Sequence, residues 1–183
     1  SAHAGEALLA ARDAGIAVSD SVLARLGTYL FQSVHQRRPH GGPLVWWFTN
    51  AQVRFAEDVA AVDYLSRLGR HDRAGENDLL RVAPQLAWED RVRLAGVVAR
   101  RGATEAARRI LVPIWAGVRI EGRRAVPSDS AARSFYFSSW RRPLARLLSA
   151  TLAVDSAHAL IGPVVETLVE QGRAVRRQWW NTQ

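Results

Sequence analysis

The chain has 183 residues, 48% of them apolar and 23% charged, which suits one domain with a buried core and excludes long-range disorder. It holds no cysteine, so disulfides, thiolate nucleophiles and cysteine-held metals are excluded within it. The formal net charge is +8, from 25 arginines and no lysine against 17 acidic residues. The arginines are spread along the chain, which with abundant alanine reads as GC-rich codon usage rather than as a nucleic-acid stripe.

In chain order the pattern is helix, short turn, helix. Ala4 to Ala14 carries Leu8, Leu9 and Ala11 to Ala14 at helical spacing, and Gly15 supplies a stop. Ser19 or Asp20 can cap a second helix whose apolar face is Val22, Leu23, Leu26, Tyr29, Leu30 and Val34. Pro39, Gly41, Gly42 and Pro43 forbid a helix, and Trp46, Trp47 and Phe48 beside them read as core anchors of a loop. Thr49 or Asn50 caps a third helix to about Leu68, stopped by Gly69. Its face is Val53, Phe55, Ala56, Val59, Ala60, Val62, Tyr64, Leu65 and Leu68. A short helix is expected from Asn77 to Val82, and a fifth from Ala87 to Arg101 closed by Gly102.

A sixth helix begins near Thr104, with Pro113 expected to kink or shorten it. Val118 to Val126 alternates apolar and polar residues around Glu121-Gly122, which predicts a small β-hairpin. Pro127 to Ser134 reads as a polar loop. Trp140 to Ala153 is a seventh helix with Leu144, Leu147, Leu148, Thr151 and Leu152 on one face, and Pro143 in its first turn. Asp155 or Ser156 caps an eighth through Val164, Val165, Leu168 and Val169, stopped by Gly172. The fold class expected is all-α, a single domain over residues 1–183 of helical hairpins with one small β-hairpin near 118–126. No helix is apolar all round, so each is expected to pack on one side.

The search for chemistry yields no catalytic, cofactor-binding or metal-binding residue. The histidines are His3, His35, His40, His71 and His158, and none stands with an acid at metal-ligand spacing. There is no phosphate-cradling glycine loop and no nucleophile-elbow serine. Asp72 and Glu76 to Asp78 read as loop acids that cap a helix. No cofactor is expected and the chain is not expected to be an enzyme. No apolar run approaches 18 residues, so no membrane span is expected. No signal peptide is visible, and without methionine Ser1 reads as a boundary within a longer protein.

Several segments in order carry a family likeness. They are Ala7 to Gly15 (ALLAARDAG), Val18 to Leu30, Ala61 to Asp72 (AVDYLSRLGRHD) and Leu86 to Gly102. Leu144 to Asp155 follows, then His158 to Ile161, Leu168 to Arg173 and Trp180-Asn-Thr-Gln183. Together they resemble the thioester-type domain of bacterial α2-macroglobulins, distant relatives of complement proteins. The Trp-Asn-Thr-Gln end is the most specific piece.

The resemblance implies an α/α toroid, with inner and outer helices in a ring, inside a large protein of the cell envelope or periplasm. That family traps proteases, its partners, by releasing a buried Cys–Gln thioester after bait cleavage. Its Cys-x-Glu-Gln segment precedes the helices matched here, so it either lies upstream of Ser1 or is absent from the protein. No thioester residue can be carried onto this chain, and His3, at the edge of the match, reads as an exposed terminal histidine. The implied function is that of a fragment of an endopeptidase inhibitor, acting through the full-length protein and its other domains. The alternative is a helical scaffold for protein–protein interaction. Thr182 is placed to cap a further helix. The ring is therefore expected to be open, with Trp179 and Trp180 beside an exposed apolar groove that favours self-association.

Overall fold

The computed structural model of the chain describes residues 2–36, 50–127 and 141–179. Among them stand eight α-helices and one two-stranded antiparallel hairpin, so the fold is all-α with a small β element. Three helix ends expected at glycines fall there: Gly15, Gly69 and Gly102 have φ of +82°, +73° and +82°, left-handed backbone that a side chain would strain. The chain divides into two compact units, Ser1–Leu86 and Ala87–Gln183.

The first unit contains α1 (Ala2–Asp13), α2 (Asp20–Gln36), α3 (Ala51–Arg67), α4 (Arg73–Arg81) and a 3₁₀ turn, Ala83–Gln85. Helix α3 is its centre, packed by α1, α2 and α4. Every residue from Val59 to Ser66 is buried. This corrects the expectation of one-sided helices: Ala60, Ala61 and Ser66 are small enough for neighbours to close on several sides at once. Tyr64 is fully buried and its hydroxyl donates to the Leu23 carbonyl at 3.0 Å. Asn50 caps α3, its Oδ1 accepting the Gln52 N–H at 2.9 Å. Gln52 Nε2 then donates to the Gln85 carbonyl at 2.9 Å.

Helix α2 turns a narrower face inward than its sequence suggested. Leu23, Gly27 and Leu30 are buried and Leu26 and Val34 partly so, whereas Val22 and Tyr29 are 37% and 50% exposed. The inner column runs at steps of four and three from Leu23, and Val22 and Tyr29 stand one position round the helix. Helix α4 begins at Arg73, four residues before the expected start at Asn77. Asp72 is its cap, as its type suggested, with Oδ1 accepting the Gly75 N–H at 3.1 Å. Glu76 lies within this helix and is fully buried, not in a loop.

The second unit contains α5 (Trp88–Arg100), α6 (Thr104–Ala116), β1 (Val118–Glu121), β2 (Arg124–Pro127), α7 (Arg141–Val154) and α8 (Ile161–Trp179). Helix α5 packs on α6 and α7, and α7 on α8. Pro113 does not shorten α6, which continues to Ala116. It stands only three residues from the end, where few hydrogen bonds remain to be disturbed. On α7, Leu144, Leu147 and Thr151 are buried as expected, but Leu152 is 46% exposed and Val154 is buried. Helix α8 starts at Ile161, later than the expected cap, because Asp155 and His158 each accept a backbone N–H two residues on and shape turns instead. It also runs through Gly172, which does not adopt left-handed backbone.

The hairpin pairs Val118 with Pro127 through Glu121 with Arg124, so its turn is Gly122-Arg123, one residue beyond the expected Glu-Gly. It is pinned to α8 by Thr167. That hydroxyl accepts the Ala125 N–H at 2.9 Å and shares its own proton between the carbonyls of Ala125, at 3.1 Å, and Pro163, at 2.9 Å. Arg123 and Arg124 add ion pairs to Glu166 and Glu170 at 2.7 and 3.2 Å. Thr167→Val keeps the shape and leaves the buried Ala125 N–H without its acceptor. We expect a loss of about 1–3 kcal/mol in urea unfolding, with faster hydrogen exchange at that amide. An unchanged exchange rate would show that the threonine does not hold the strand.

Candidate functional site

Three polar constellations stand out, one of them built on a histidine. His35, at the end of α2, places Nε2 2.7 Å from Oδ2 of the buried Asp72 at the start of α4. Both carboxylate oxygens are thereby engaged, since Oδ1 caps Gly75. A Cβ at position 75 would lie 2.6 Å from Asp72 Oδ2, so glycine there admits the close approach. A histidine–carboxylate pair is the orienting half of a nucleophile triad. Among the described residues, however, His35 touches only Asp72 and the ring of Phe31, at 4.5 Å between centroids. The pair joins α2 to α4, and among the described residues no nucleophile stands against it.

The remaining histidines are dispersed. His3 Nδ1 lies 3.6 Å from Glu6, and His71 Nδ1 lies 3.9 Å from Glu76. His158 stacks on Trp115 at 4.0 Å, and the Trp115 indole N–H donates to Thr151 at 2.9 Å. Among the described residues no three His, Asp or Glu side chains converge as metal ligands. His40, the Trp46-Trp47-Phe48 anchor, the 128–134 loop, Trp180 and Thr182 lie outside the described residues. So does the side chain of Trp179, and with it the groove expected there.

The second constellation lies in the other unit. Glu89, in the first turn of α5, is 3% exposed. Arg142 of α7 forks onto it, Nε to Oε1 at 2.5 Å and Nη2 to Oε2 at 3.0 Å. Arg146, one turn on, brings Nε to within 3.2 Å of Oε1. Asp90 and Arg93 are buried beside Glu89 on α5. Burial, then the guanidinium groups of Arg146, Arg142 and Arg100, hold the Arg93 pKa well below the usual arginine value. The network clamps α5 to α7. The only sequence signal for it was the four-residue spacing of Arg142 and Arg146.

The third is an open pocket in the first unit with a volume of about 290 Å³. Arg12 comes from the last turn of α1, Asp20 and Leu23 from the start of α2, and Arg67, Leu68 and Arg70 from the end of α3 and its turn. Three arginines and one aspartate thus line the pocket together with Leu23, Ala24 and Leu68.

No protein-family model, no curated protein and no solved structure matches this chain.

Proposed function

We propose that the chain is the helical, thioester-type segment of a bacterial α2-macroglobulin-like protein, an endopeptidase inhibitor that traps proteases in the cell envelope. The observation that supports this reading is one of order. The resembling segments 7–15, 18–30, 61–72, 86–102 and 144–155 fall on α1, α2, α3, α5 and α7 or their ends, in sequence. Three of these segments include a left-handed glycine that closes a helix, Gly15, Gly69 or Gly102. Consecutive packed helices joined by such turns are the units from which an α/α toroid is assembled.

In this reading the chain contributes helical structure and performs no chemistry. A thioester needs a cysteine sulfur bonded to a glutamine acyl carbon and sheltered from water until release. This chain has no cysteine to supply the sulfur. Capture would therefore belong to the full-length protein, through its bait segment and, in a thioester member, a Cys-x-Glu-Gln segment.

The isolated 183 residues are expected to leave trypsin fully active and to form no adduct with it. The full-length protein is expected to carry trypsin with it through gel filtration. Inhibition by the isolated chain, or full-length protein that never co-elutes with a protease, would overturn the reading. A second reading, a helical scaffold for another protein, is favoured by the exposed Val22 and Tyr29, which stand one heptad apart on α2. In that case full-length protein retains a partner without any cleavage.

A further inference from the structure

We propose that the pocket bounded by Arg12, Arg67 and Arg70 is a binding site for a phosphate monoester, the phosphate held by arginine and its organic group resting on the partly exposed Leu68. This goes beyond the trap reading and does not depend on it. Arginine clusters on a surface usually neutralise local acids, and the neighbouring geometry shows how far that happens here. Arg67 is partly matched, with Nε 3.4 Å from Asp63 of the preceding turn. Among the described residues neither Arg12 nor Arg70 stands within ion-pair distance of a carboxylate. The electrostatic partner of Arg12 is Tyr64, whose pKa burial raises and Arg12 lowers. A buried neutral phenol does not cancel a guanidinium charge.

Arg70 is exposed, and its head lies along α2. Its Nη1 lies 3.0 Å from where a Cβ would stand on Gly27, and Leu68 Cδ1 lies 3.1 Å from the same point. The missing side chain at Gly27 is a cradle in which the guanidinium lies against α2. The three arginines come from two helix ends and a turn, three separate points of the backbone around the pocket. That suits the three terminal oxygens of a phosphate monoester better than the two of a carboxylate, which one forked arginine already satisfies. The start of α2 adds a favourable field for an anion, while Asp20 opposes one. A volume near 290 Å³ accommodates a phosphate with a small organic substituent.

The test is calorimetric titration of the 183-residue chain with phenyl phosphate, inorganic phosphate and benzoate at fixed ionic strength. Saturable binding is expected for phenyl phosphate, weaker binding for inorganic phosphate and the weakest for benzoate. Arg12→Gln and Arg70→Gln are each expected to weaken phenyl phosphate binding about tenfold. Gly27→Ala is expected to weaken it by displacing the Arg70 head, with the far-ultraviolet dichroism of the helices unchanged. Asp20→Asn is expected to tighten it. Arg81→Gln, whose ion pair among the described residues is with the exposed Asp78, is the control and is expected to change nothing. No saturable binding, benzoate bound as tightly as phenyl phosphate, or an equal loss in the Arg81 control would each overturn the assignment.

Discussion

Glu89→Gln is expected to destabilise the chain by about 3–5 kcal/mol, the cost of removing one partner from a buried ion pair. The change keeps the shape and removes only the charge. Arg142 holds both oxygens of Glu89 and Arg146 shares one of them, at side-chain exposures of 27% and 17%. Arg93 lies buried on the same helix, already disfavoured as a cation by burial and by its arginine neighbours. Neutralising Glu89 leaves these guanidinium groups to repel one another in a poorly solvated space. For a unit of this size such a loss lowers the melting temperature by more than about 10 °C. Urea unfolding followed by tryptophan fluorescence reads it directly. Replacing Glu89, Arg142 and Arg146 together with apolar residues of similar volume is expected to recover part of the loss, because the two arginines stranded by the single change are then removed with it. A loss below about 1 kcal/mol in Glu89→Gln would mean that water reaches the pair and that the clamp contributes little.

That clamp shows where the sequence was informative and where it was not. Helix ends were legible because their signals are local: Gly15, Gly69 and Gly102 can take left-handed backbone, and Asn50 can reach the Gln52 N–H. Gly172 failed as a stop because glycine permits that conformation without imposing it, and α8 continues at a cost of about 1 kcal/mol relative to alanine. Faces were legible to within one position. Val22, Tyr29 and Leu152 are apolar and correctly spaced, but spacing does not record which neighbour a helix meets. The burial of α3 on several sides was hidden because Asp63 and Ser66 do not count as core residues by type and Ala61 stands off the apolar stripe, although each is buried. The pairings within the polar constellations were not legible. His35 and Asp72 are 37 residues apart and Glu89 and Arg142 are 53 apart, so only the packing of helices brings them together.

Tyr64→Ala is expected to cost about 3–5 kcal/mol, since it empties the centre of a core cluster that includes Ala2, Leu9, Leu23, Leu30, Ala60 and Ala61. The sharper result concerns Gly5, on the opposing face of α1. Glycine inside a helix is worth about 1 kcal/mol less than alanine, so Gly5→Ala ought to stabilise α1 on propensity alone. Yet a Cβ there would stand 2.6 Å from both Cδ2 and Cε2 of Tyr64 and 3.2 Å from Leu26 Cδ2. The ring cannot withdraw easily, because its hydroxyl is tied to the Leu23 carbonyl at 3.0 Å and it has no exposed surface. Overpacking of this kind costs about 1–3 kcal/mol or more, which outweighs the propensity gain. Gly5→Ala is therefore expected to destabilise the native chain. In the Tyr64→Ala background the obstacle is gone, and the same substitution is expected to stabilise. Urea unfolding of the four proteins measures this sign reversal as a coupling energy between α1 and α3. If Gly5→Ala stabilises in both backgrounds, α1 does not rest on Tyr64, and the centre of the first unit lies elsewhere.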